Sequence, residues 1–282
     1  MNYSYASRKP WAHIVTALCF IGAVVINFSP FLWGALTSLK PISEILKYPP
    51  TLLGSRISGE HYSVVMRSSF LLATRNSIFY SVVAVVVGLI CANMAGYALA
   101  RCRFFGKKAI FMIILSGIPL SLGSAAMVVP NYMFFSKLGL INHWFTLPLL
   151  YIAYNLPMAI WVMTGGIQGI PVSIEEAAEI DGAGRLYIIF RLIPRISLPS
   201  IACAALFIFI GAWNEFIVSS VLVSSTDLYP IQVSIYSYLG FFGREWGPLM
   251  AASTIGVIPI LIVFSILGKM LISGLTAGSV KE

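Results

Sequence analysis

Four of the 10 acidic residues in this 282-residue chain stand close together, at Glu175, Glu176, Glu179 and Asp181. They lie in the run Ser173–Gly184, whose other members are mostly alanine, glycine and isoleucine. A carboxylate beside such small side chains can meet a cation on another molecule, because the two backbones can come close. The run lies between two long apolar segments, where a cluster of charges is out of place as a lipid-facing element. We therefore interpret it as a docking surface for another protein.

The same run carries the signals of a short helix. Ser173 followed three residues later by Glu176 is a capping box, which predicts a helix that begins at about Ile174. Gly182 and Gly184 predict its end. At about 100° per residue, one face of this helix is small and nearly flat, and the opposite face is acidic. The flat face comprises Ile174, Ala177, Ala178 and Asp181, and the acidic face comprises Glu175, Glu176 and Glu179.

An amphipathic helix lying on the membrane is the alternative interpretation of this run. Such a helix carries Lys or Arg on its polar face, because the cytoplasmic leaflet is anionic. Here the polar face carries glutamates, and the other face offers no broad apolar surface. Docking to protein is therefore favoured over docking to lipid.

The composition of the whole chain is that of a membrane protein. Hydrophobic residues make up 59% and charged residues 10%, with a mean hydropathy of +0.90, whereas a soluble domain carries about 25% charged residues. Charge-free apolar runs long enough to cross a hydrocarbon core about 30 Å thick fall at 12–37, 76–100, 109–134, 146–168, 198–224 and 248–268. The predicted fold class is all-α, a polytopic membrane protein with six transmembrane helices, of which the first is an uncleaved anchor.

Lysine and arginine indicate the orientation of these helices. The net charge of +8 is interpreted as a bias of the loops toward one side of the bilayer, and not as a nucleic-acid surface. Cations close to span ends, such as Arg8, Arg101, Lys107 and Lys269, fall on one side, which we assign to the cytoplasm. Both termini are then cytoplasmic, and residues 38–75 form an external loop. The acidic helix lies in the cytoplasm, between the fourth and fifth spans.

Residues for catalysis or ion coupling are sparse in the apolar runs. Glu215 is the single ionisable side chain within their cores, whereas an ion-driven transporter needs several buried carboxylates or a charged pair. No run carries a cluster of His, Asp and Glu, the four cysteines are scattered, and no phosphate-binding loop is present. The sequence therefore predicts no catalytic residues, no metal site, and a source of energy in another subunit.

Small residues recur every four positions in the second run, at Gly88, Ala92, Gly96 and Ala100. A stripe of this kind lets another helix approach closely within a membrane. Close helix packing is the interpretation that the stripe favours.

The octet Glu176–Ala183 resembles the EAA motif of permease subunits in binding-protein-dependent ABC importers. Its E-A-A-x-x-D-G-A form is similar to that of the carbohydrate branch, specifically the second permease of maltose-transporter-like systems. Further resemblances extend over most of the chain, in Ser38–Pro41, Tyr48–Pro50, Arg75–Ser77, Tyr97–Arg101, Ala212–Phe216 and Gly274–Lys281. The chain departs from the family pattern at Ile193-Pro194-Arg195, where the proline stands one place early.

The resemblance implies one transmembrane domain over residues 1–282, with core spans at about 76–272 and a cytoplasmic coupling segment at 173–195. It further implies that the EAA helix sits in a cleft of a cytoplasmic ATPase. The residues in contact with the ATPase would be Glu176, Ala177, Ala178, Asp181, Gly182 and Ala183. The tail residues Ala277, Gly278 and Ser279 would reach the same interface, or else form a disordered end.

The implied function is ATP-driven import of a sugar or oligosaccharide across a bacterial cytoplasmic (inner) membrane. The implied partners are a second homologous permease, two copies of an ABC ATPase that bind the ATP and magnesium, and a periplasmic or extracellular solute-binding protein. This chain itself would bind no cofactor and no nucleic acid. Two alternatives stay open, namely an ABC permease for a non-sugar solute and an ion-coupled secondary transporter.

Candidates for the substrate pathway are Trp213, Asn214 and Glu215, because sugars are bound by polar groups together with flat aromatic faces. The alternative is that Asn214 and Glu215 form hydrogen bonds that hold neighbouring helices together.

Overall fold

The computed structural model describes residues 10–52, 54–122, 124–240 and 245–279, and throughout these ranges the protein is helical or irregular, without a strand. The helices, in chain order, are α1 (Pro10–Ser38), α2 (Ile42–Ile45), α3 (Glu60–Arg67), α4 (Phe70–Arg101), α5 (Lys107–Leu122), α6 (Ser124–Lys137), α7 (Thr146–Gln168), α8 (Val172–Ile180), α9 (Arg185–Tyr187), α10 (Ile193–Ile196), α11 (Leu198–Asn214), α12 (Ser219–Leu222), α13 (Ile231–Ser237) and α14 (Trp246–Ser279). A π-helical turn (Ile188–Leu192) joins α9 to α10, and a 3-10 turn (Thr226–Leu228) precedes α13. The all-α prediction is confirmed for this part of the chain.

Several helices have the length and apolarity that a membrane span requires. Within the described ranges, four do so alone, namely His13–Ser38, Phe70–Arg101, Thr146–Gln168 and Trp246–Leu271. A fifth span results if Arg185–Ile196 and Leu198–Asn214, which meet at an angle of 87°, are taken together as one bent span. The chain is therefore a multi-pass membrane protein.

The described residues of the run 109–134 are helical, in α5 and α6, and each of these helices contains an internal proline. The run 198–224 does not form one continuous helix, because α11 ends at Asn214. Glu215 therefore follows the end of α11 and does not lie within a continuous helix.

The described residues group into two compact units. The first unit comprises the chain up to Arg67 together with Tyr238–Ile255. Its loop after α1 is organised around Lys40, whose buried ammonium group donates a hydrogen bond to Thr51 O and lies 5.0 Å from the centroid of the Trp33 ring. A buried cation needs such partners, since it has lost its water.

The second unit comprises Ser68–Ser237 and the chain from Gly256 onward. Buried residues of α4, α7 and α11 form its apolar core. A β-carbon on Gly96 would lie 3.0 Å from Met163 Cβ, and one on Gly88 would lie 3.0 Å from Ile208 Cδ1. The small-residue stripe of α4 thus lets α7 and α11 pack tightly against it, as its spacing predicts.

Polar side chains near the beginning of α4 hold a loop that is distant in sequence. Asn76 Nδ2 donates to Asp227 O at 2.7 Å, and Tyr80 OH donates to Leu228 O at 3.1 Å. These bonds satisfy carbonyl groups that lie outside regular helix. The helix α4 therefore both packs the core and anchors an irregular segment.

Candidate functional site

The acidic run forms the helix α8, which begins two residues earlier than predicted. The residue before its first turn is Pro171, and no side chain caps that end. The prediction of a capping box at Ser173 and Glu176 is therefore wrong, because Ser173 already lies within the helix. The predicted end is confirmed in part, since Gly182 stops the helix whereas Gly184 precedes α9.

Gly182 ends α8 through a backbone conformation that other residues rarely adopt. Its φ is +83°, in the left-handed region. Gly182 N donates to Glu179 O at 3.0 Å, and Ala183 N donates to Ala178 O at 2.9 Å. This pair of bonds is the Schellman motif, which satisfies carbonyl groups at a helix end.

The predicted contact residues form a largely exposed surface on α8 and the turn after it. Glu176, Ala177, Asp181 and Gly182 are exposed, and Ala178 and Ala183 are partly buried. Two apolar side chains that sequence reasoning did not select lie beside them, Ile180 with 87% of its surface exposed and Leu186 with 72%. Apolar groups rimmed by polar ones favour a surface that contacts protein.

Glu175 does not share the exposed acidic face on which the helix pattern placed it. Its side chain is buried, and its Oε1 accepts a hydrogen bond from Arg101 Nε at 2.6 Å. Its Oε2 accepts a second hydrogen bond from Tyr97 OH at 3.0 Å. Arg101 Nη2 also donates to Ile170 O at 2.6 Å, in the turn between α7 and α8. The end of α4 and the beginning of α8 are thus joined by a buried ion pair.

Arg185, at the beginning of α9, also contacts the end of α4. Its Nη2 donates to Cys102 Sγ at 3.2 Å, and its guanidinium carbon lies 5.9 Å from the centroid of the Tyr97 ring. A cleft of about 560 Å³ opens beside these groups, lined by cations and carboxylates together. Its lining residues are Tyr97, Ala100, Arg101, Arg103, Lys107, Val172, Glu175, Glu176, Glu179 and Arg185.

The segment that departs from the family pattern is helical but contains a π turn. Ile193 N donates to Ile188 O, five residues back, where an α-helix would use the residue four back. In that register Pro194 would donate to Ile189 O, but proline has no N–H. Asn93 Nδ2 supplies the bond instead, at 2.8 Å from Ile189 O. The early proline is thus accommodated by a side chain of α4.

The C-terminal candidates lie at the end of α14. The backbone of Ala277, Gly278 and Ser279 is helical, and their side chains and all of Val280 lie outside the described residues.

The three pathway candidates have different surroundings. Trp213 is buried, stacks on Phe209 with 5.5 Å between ring centroids, and donates from Nε1 to Gly256 O at 3.1 Å. Glu215 accepts from the backbone N–H of Val218 at 2.8 Å through Oε1.

Glu215 also binds Ser219, whose backbone N–H donates to Oε2 at 3.0 Å and whose hydroxyl donates to the same oxygen. Asn214 is exposed, and its Oδ1 accepts from Gln232 Nε2 at 3.4 Å. Within the described ranges, no three His, Cys, Asp or Glu side chains are grouped so that they could hold a metal ion.

Sequence reasoning missed the residues of α4 that bind the segment 170–189, namely Asn93, Tyr97 and Arg101. A signal was present, because polar residues spaced by four recur at the end of an otherwise apolar span. Such residues in a span face protein or water and bind a partner. The partner itself could not be named from the pattern.

Residues 84–276 match the family described as the binding-protein-dependent transport system inner membrane component. The chain is 31% identical to the diacetylchitobiose uptake system permease protein DasC of Streptomyces coelicolor over 276 residues, which cover 97% of each chain. It is also 31% identical to the trehalose/maltose transport system permease protein MalG of Thermococcus litoralis over 278 residues, covering 94% of this chain and 96% of that protein.

In fold, the chain is similar to the crystal structure of a bacterial ABC transporter involved in the import of the acidic polysaccharide alginate. The TM-score is 0.78 at 24% sequence identity, over 95% of this chain and 99% of that chain. With a family match over more than half of its length and two full-length relatives above 30% identity, the chain belongs to the inner membrane components of binding-protein-dependent transport systems.

Proposed function

We propose that this chain is the membrane-spanning permease subunit of an ATP-driven importer that takes up a sugar or oligosaccharide delivered by a solute-binding protein. The observation that carries the proposal is the exposed E-A-A-x-x-D-G-A helix α8, fixed to a membrane helix in a member of this transport family. The choice of a sugar is supported by the names of DasC and MalG, which are permeases for diacetylchitobiose and for trehalose or maltose.

The proposed topology has six spans in one transmembrane domain, with both termini in the cytoplasm of a bacterial cell. The fourth and fifth spans then flank α8, which lies on the cytoplasmic side. The distribution of Lys and Arg beside the span ends supports this orientation. Modification of single introduced cysteines from either side of the membrane tests it, with reaction from the cytoplasmic side expected at Glu179→Cys.

The proposed partners are a second permease, two copies of a cytoplasmic ABC ATPase, and the solute-binding protein. ATP and magnesium would bind to the ATPases, and this chain would need no cofactor of its own. Glu176 and Asp181 would form ion pairs with ATPase cations, because both are exposed on α8. Ala177, Ala178, Gly182 and Ala183 would allow the close approach, and Ala277, Gly278 and Ser279 would lie at the same interface.

On the substrate pathway, Asn214 has the surroundings that suit a sugar. It is exposed beside Gln232, and the aromatic pair Phe216 and Tyr236, with 4.7 Å between ring centroids, lies next along the same two segments. Amide groups beside aromatic rings bind sugar hydroxyls and ring faces. The polar atoms of Trp213 and Glu215 form hydrogen bonds within this chain, so these two residues would shape the pathway without contacting the sugar through those atoms.

Reconstitution of the complete transporter in lipid vesicles tests the function. The chain is co-expressed with the ATPase, permease and binding protein that the proposal expects to be encoded beside it, and uptake is measured over a panel of sugars, amino acids and metal ions. We expect uptake of a sugar that requires ATP and the binding protein. Uptake of a non-sugar solute alone would overturn the sugar assignment. Uptake driven by an ion gradient without ATP would overturn the proposal that import is driven by ATP.

A further inference from the structure

Three polar residues of α4 follow one another at intervals of four, namely Asn93, Tyr97 and Arg101. Residues at this spacing lie on one face of a helix, one turn apart. Each of the three donates a hydrogen bond to the segment 170–189, which contains α8, α9 and the beginning of the π turn. We call these three residues the α4 ladder.

The α4 ladder is what fixes α8 to the rest of the second unit. Among the described side chains of α8, Glu175 is the buried one. A short helix is normally held by apolar packing, but the buried group here is a carboxylate that accepts from Arg101 and from Tyr97. The position of α8 therefore depends on charge and hydrogen-bond geometry.

The α4 ladder binds residues on both sides of α8 as well as α8 itself. Arg101 binds the turn before α8 through Ile170 O as well as Glu175 within it. One turn back, Tyr97 contacts Glu175 with its hydroxyl and Arg185 of α9 with its ring. Two turns back, Asn93 binds Ile189 O in the π turn. A displacement of α8 therefore cannot leave α4 behind without breaking several bonds.

The neighbouring stripe connects the same part of α4 to the membrane helices. Gly96 and Ala100 each precede a ladder residue by one position, and a β-carbon on Gly96 would lie 3.1 Å from Thr164 N in α7. Packed interiors transmit displacement because they have little free space. One face of α4 thus holds the coupling region while the adjacent face is packed against α7.

We propose that the α4 ladder is the rigid joint that carries the displacement of α8 into the membrane helices. Asn93, Tyr97 and Arg101 act here as positioning residues, since they hold Glu175 and the coupling segment. This inference rests on the proposed function, because it requires an ATPase that moves α8.

A purely stabilising role for the ladder makes a different prediction from a transmitting one. If the ion pair only stabilises the fold, its loss lowers the amount of assembled transporter. Each assembled complex then still imports the same amount of substrate per ATP hydrolysed. If it transmits motion, assembled complexes hydrolyse ATP but import less. The ratio of substrate imported to ATP hydrolysed separates these roles, because it does not depend on the amount of protein.

The experiment compares variants in the complete transporter in lipid vesicles, with subunit composition checked by size-exclusion chromatography. Glu175→Gln keeps the shape of the side chain and removes its charge. We expect this variant to assemble and hydrolyse ATP while the ratio of import to hydrolysis falls about tenfold, the loss typical of a charged hydrogen bond. Arg103→Gln removes an exposed cation from the same cleft, and we expect its ratio to stay within about twofold of the unmodified protein.

A Glu175→Gln complex that imports with the unmodified ratio would overturn the joint. If this variant does not assemble, Tyr97→Phe replaces it, because it removes one hydrogen bond and keeps the ion pair. A ratio lowered about threefold in Tyr97→Phe supports the joint, and an unchanged ratio overturns it. Failure of the unmodified complex to import with ATP would instead overturn the proposed function.

Discussion

Glu175 Oε1 and Arg101 Nε lie 2.6 Å apart, and their side chains are 7% and 13% exposed. The two residues are 74 positions apart in the sequence. Removing one partner of such a pair destabilises a protein more than replacing both partners with apolar residues. Removal of one partner leaves the other charged group buried without compensation. The pair therefore makes the two helices dependent on each other.

Loss of the arginine is expected to destabilise the protein more than loss of the glutamate charge. Arg101→Ala leaves the Glu175 carboxylate buried without its cation, which costs about 3–5 kcal/mol. Glu175→Gln retains an oxygen that can accept from Arg101, so we expect about 1–2 kcal/mol. Thermal unfolding of the purified complex, followed by tryptophan fluorescence, measures both. Arg103→Ala is the control, since an exposed side chain changes stability by about 0.5 kcal/mol or less.

Gly182 is expected to be necessary for docking and not only for folding. A β-carbon there meets nothing within 4 Å, but the φ of +83° makes Gly182→Ala strained, by about 1–2 kcal/mol. Gly139 has a φ of +68° and the same open surroundings, so Gly139→Ala is a matched control for strain. Co-purification with the ATPase should be reduced in Gly182→Ala alone. Equal reduction in both variants would show that backbone strain explains the effect.

Glu215→Gln is expected to act on structure. The carboxylate accepts from two backbone N–H groups, those of Val218 and Ser219, at the beginning of α12. An amide can accept at its oxygen only, so we expect a loss of about 1–2 kcal/mol in the free energy of unfolding. Import per assembled complex should stay unchanged, because glutamine keeps the shape that glutamate gives to the pathway. A lowered affinity for sugar with unchanged stability would instead identify Glu215 as a pathway residue.

The stability of the loop after α1 is expected to depend on pH through Glu44. Hydrogen bonds from the hydroxyl and the backbone N–H of Ser55 lower the pKa of the Glu44 carboxyl below its usual range. Because the folded pKa is the lower one, the stabilisation is present above the unfolded pKa and is lost as the pH falls through the folded pKa. A ¹³C-NMR titration of the Glu44 carboxyl should show the lowered value.

The same interaction predicts the behaviour of Glu44→Gln at neutral pH. Without the carboxylate, the loop between α2 and α3 should open more often, and trypsin should cleave faster after Lys47. Glu60→Gln is the control, because the ion pair of Glu60 with Arg56 is exposed on both sides and such pairs contribute little. Equal cleavage of all three proteins would contradict the structural role of Glu44.

The features that could be predicted from sequence are those that depend on residues a few positions apart. The helix stop at Gly182 depends on one residue type in one backbone conformation, and the close packing of α4 depends on small residues at every fourth position. The exposed position of Asp181 followed from the face analysis of α8 alone. In each case the residues that decide the structure stand within a few positions of one another.

The burial of Glu175 could not be predicted in this way. A helix pattern places Glu175, Glu176 and Glu179 on one polar face, and nothing within that pattern distinguishes them. The distinction comes from Arg101 and Tyr97 on another helix, which accommodate one carboxylate and leave the others exposed. A helix periodicity does not show contacts between residues that are 74 positions apart in the sequence.

The end of α11 within the apolar run 198–224 escaped prediction for a different reason. The residues on both sides of Asn214 are mostly apolar, so a window of apolar residues does not register that α11 ends there. The end coincides with the carboxylate of Glu215, which accepts hydrogen bonds from the backbone N–H groups of Val218 and Ser219. Polar residues in an apolar run therefore indicate a break as readily as a buried site.

The π turn before α10 has a consequence for the length of this segment. A π turn holds one residue more than the corresponding α-helical stretch, so it is equivalent to a single-residue insertion. Deletion of one residue from Ile188–Leu192 would restore regular α-helix and turn Arg195 by about 100° around the axis relative to Arg185. Such a deletion would therefore present a different side chain at the 87° bend into α11.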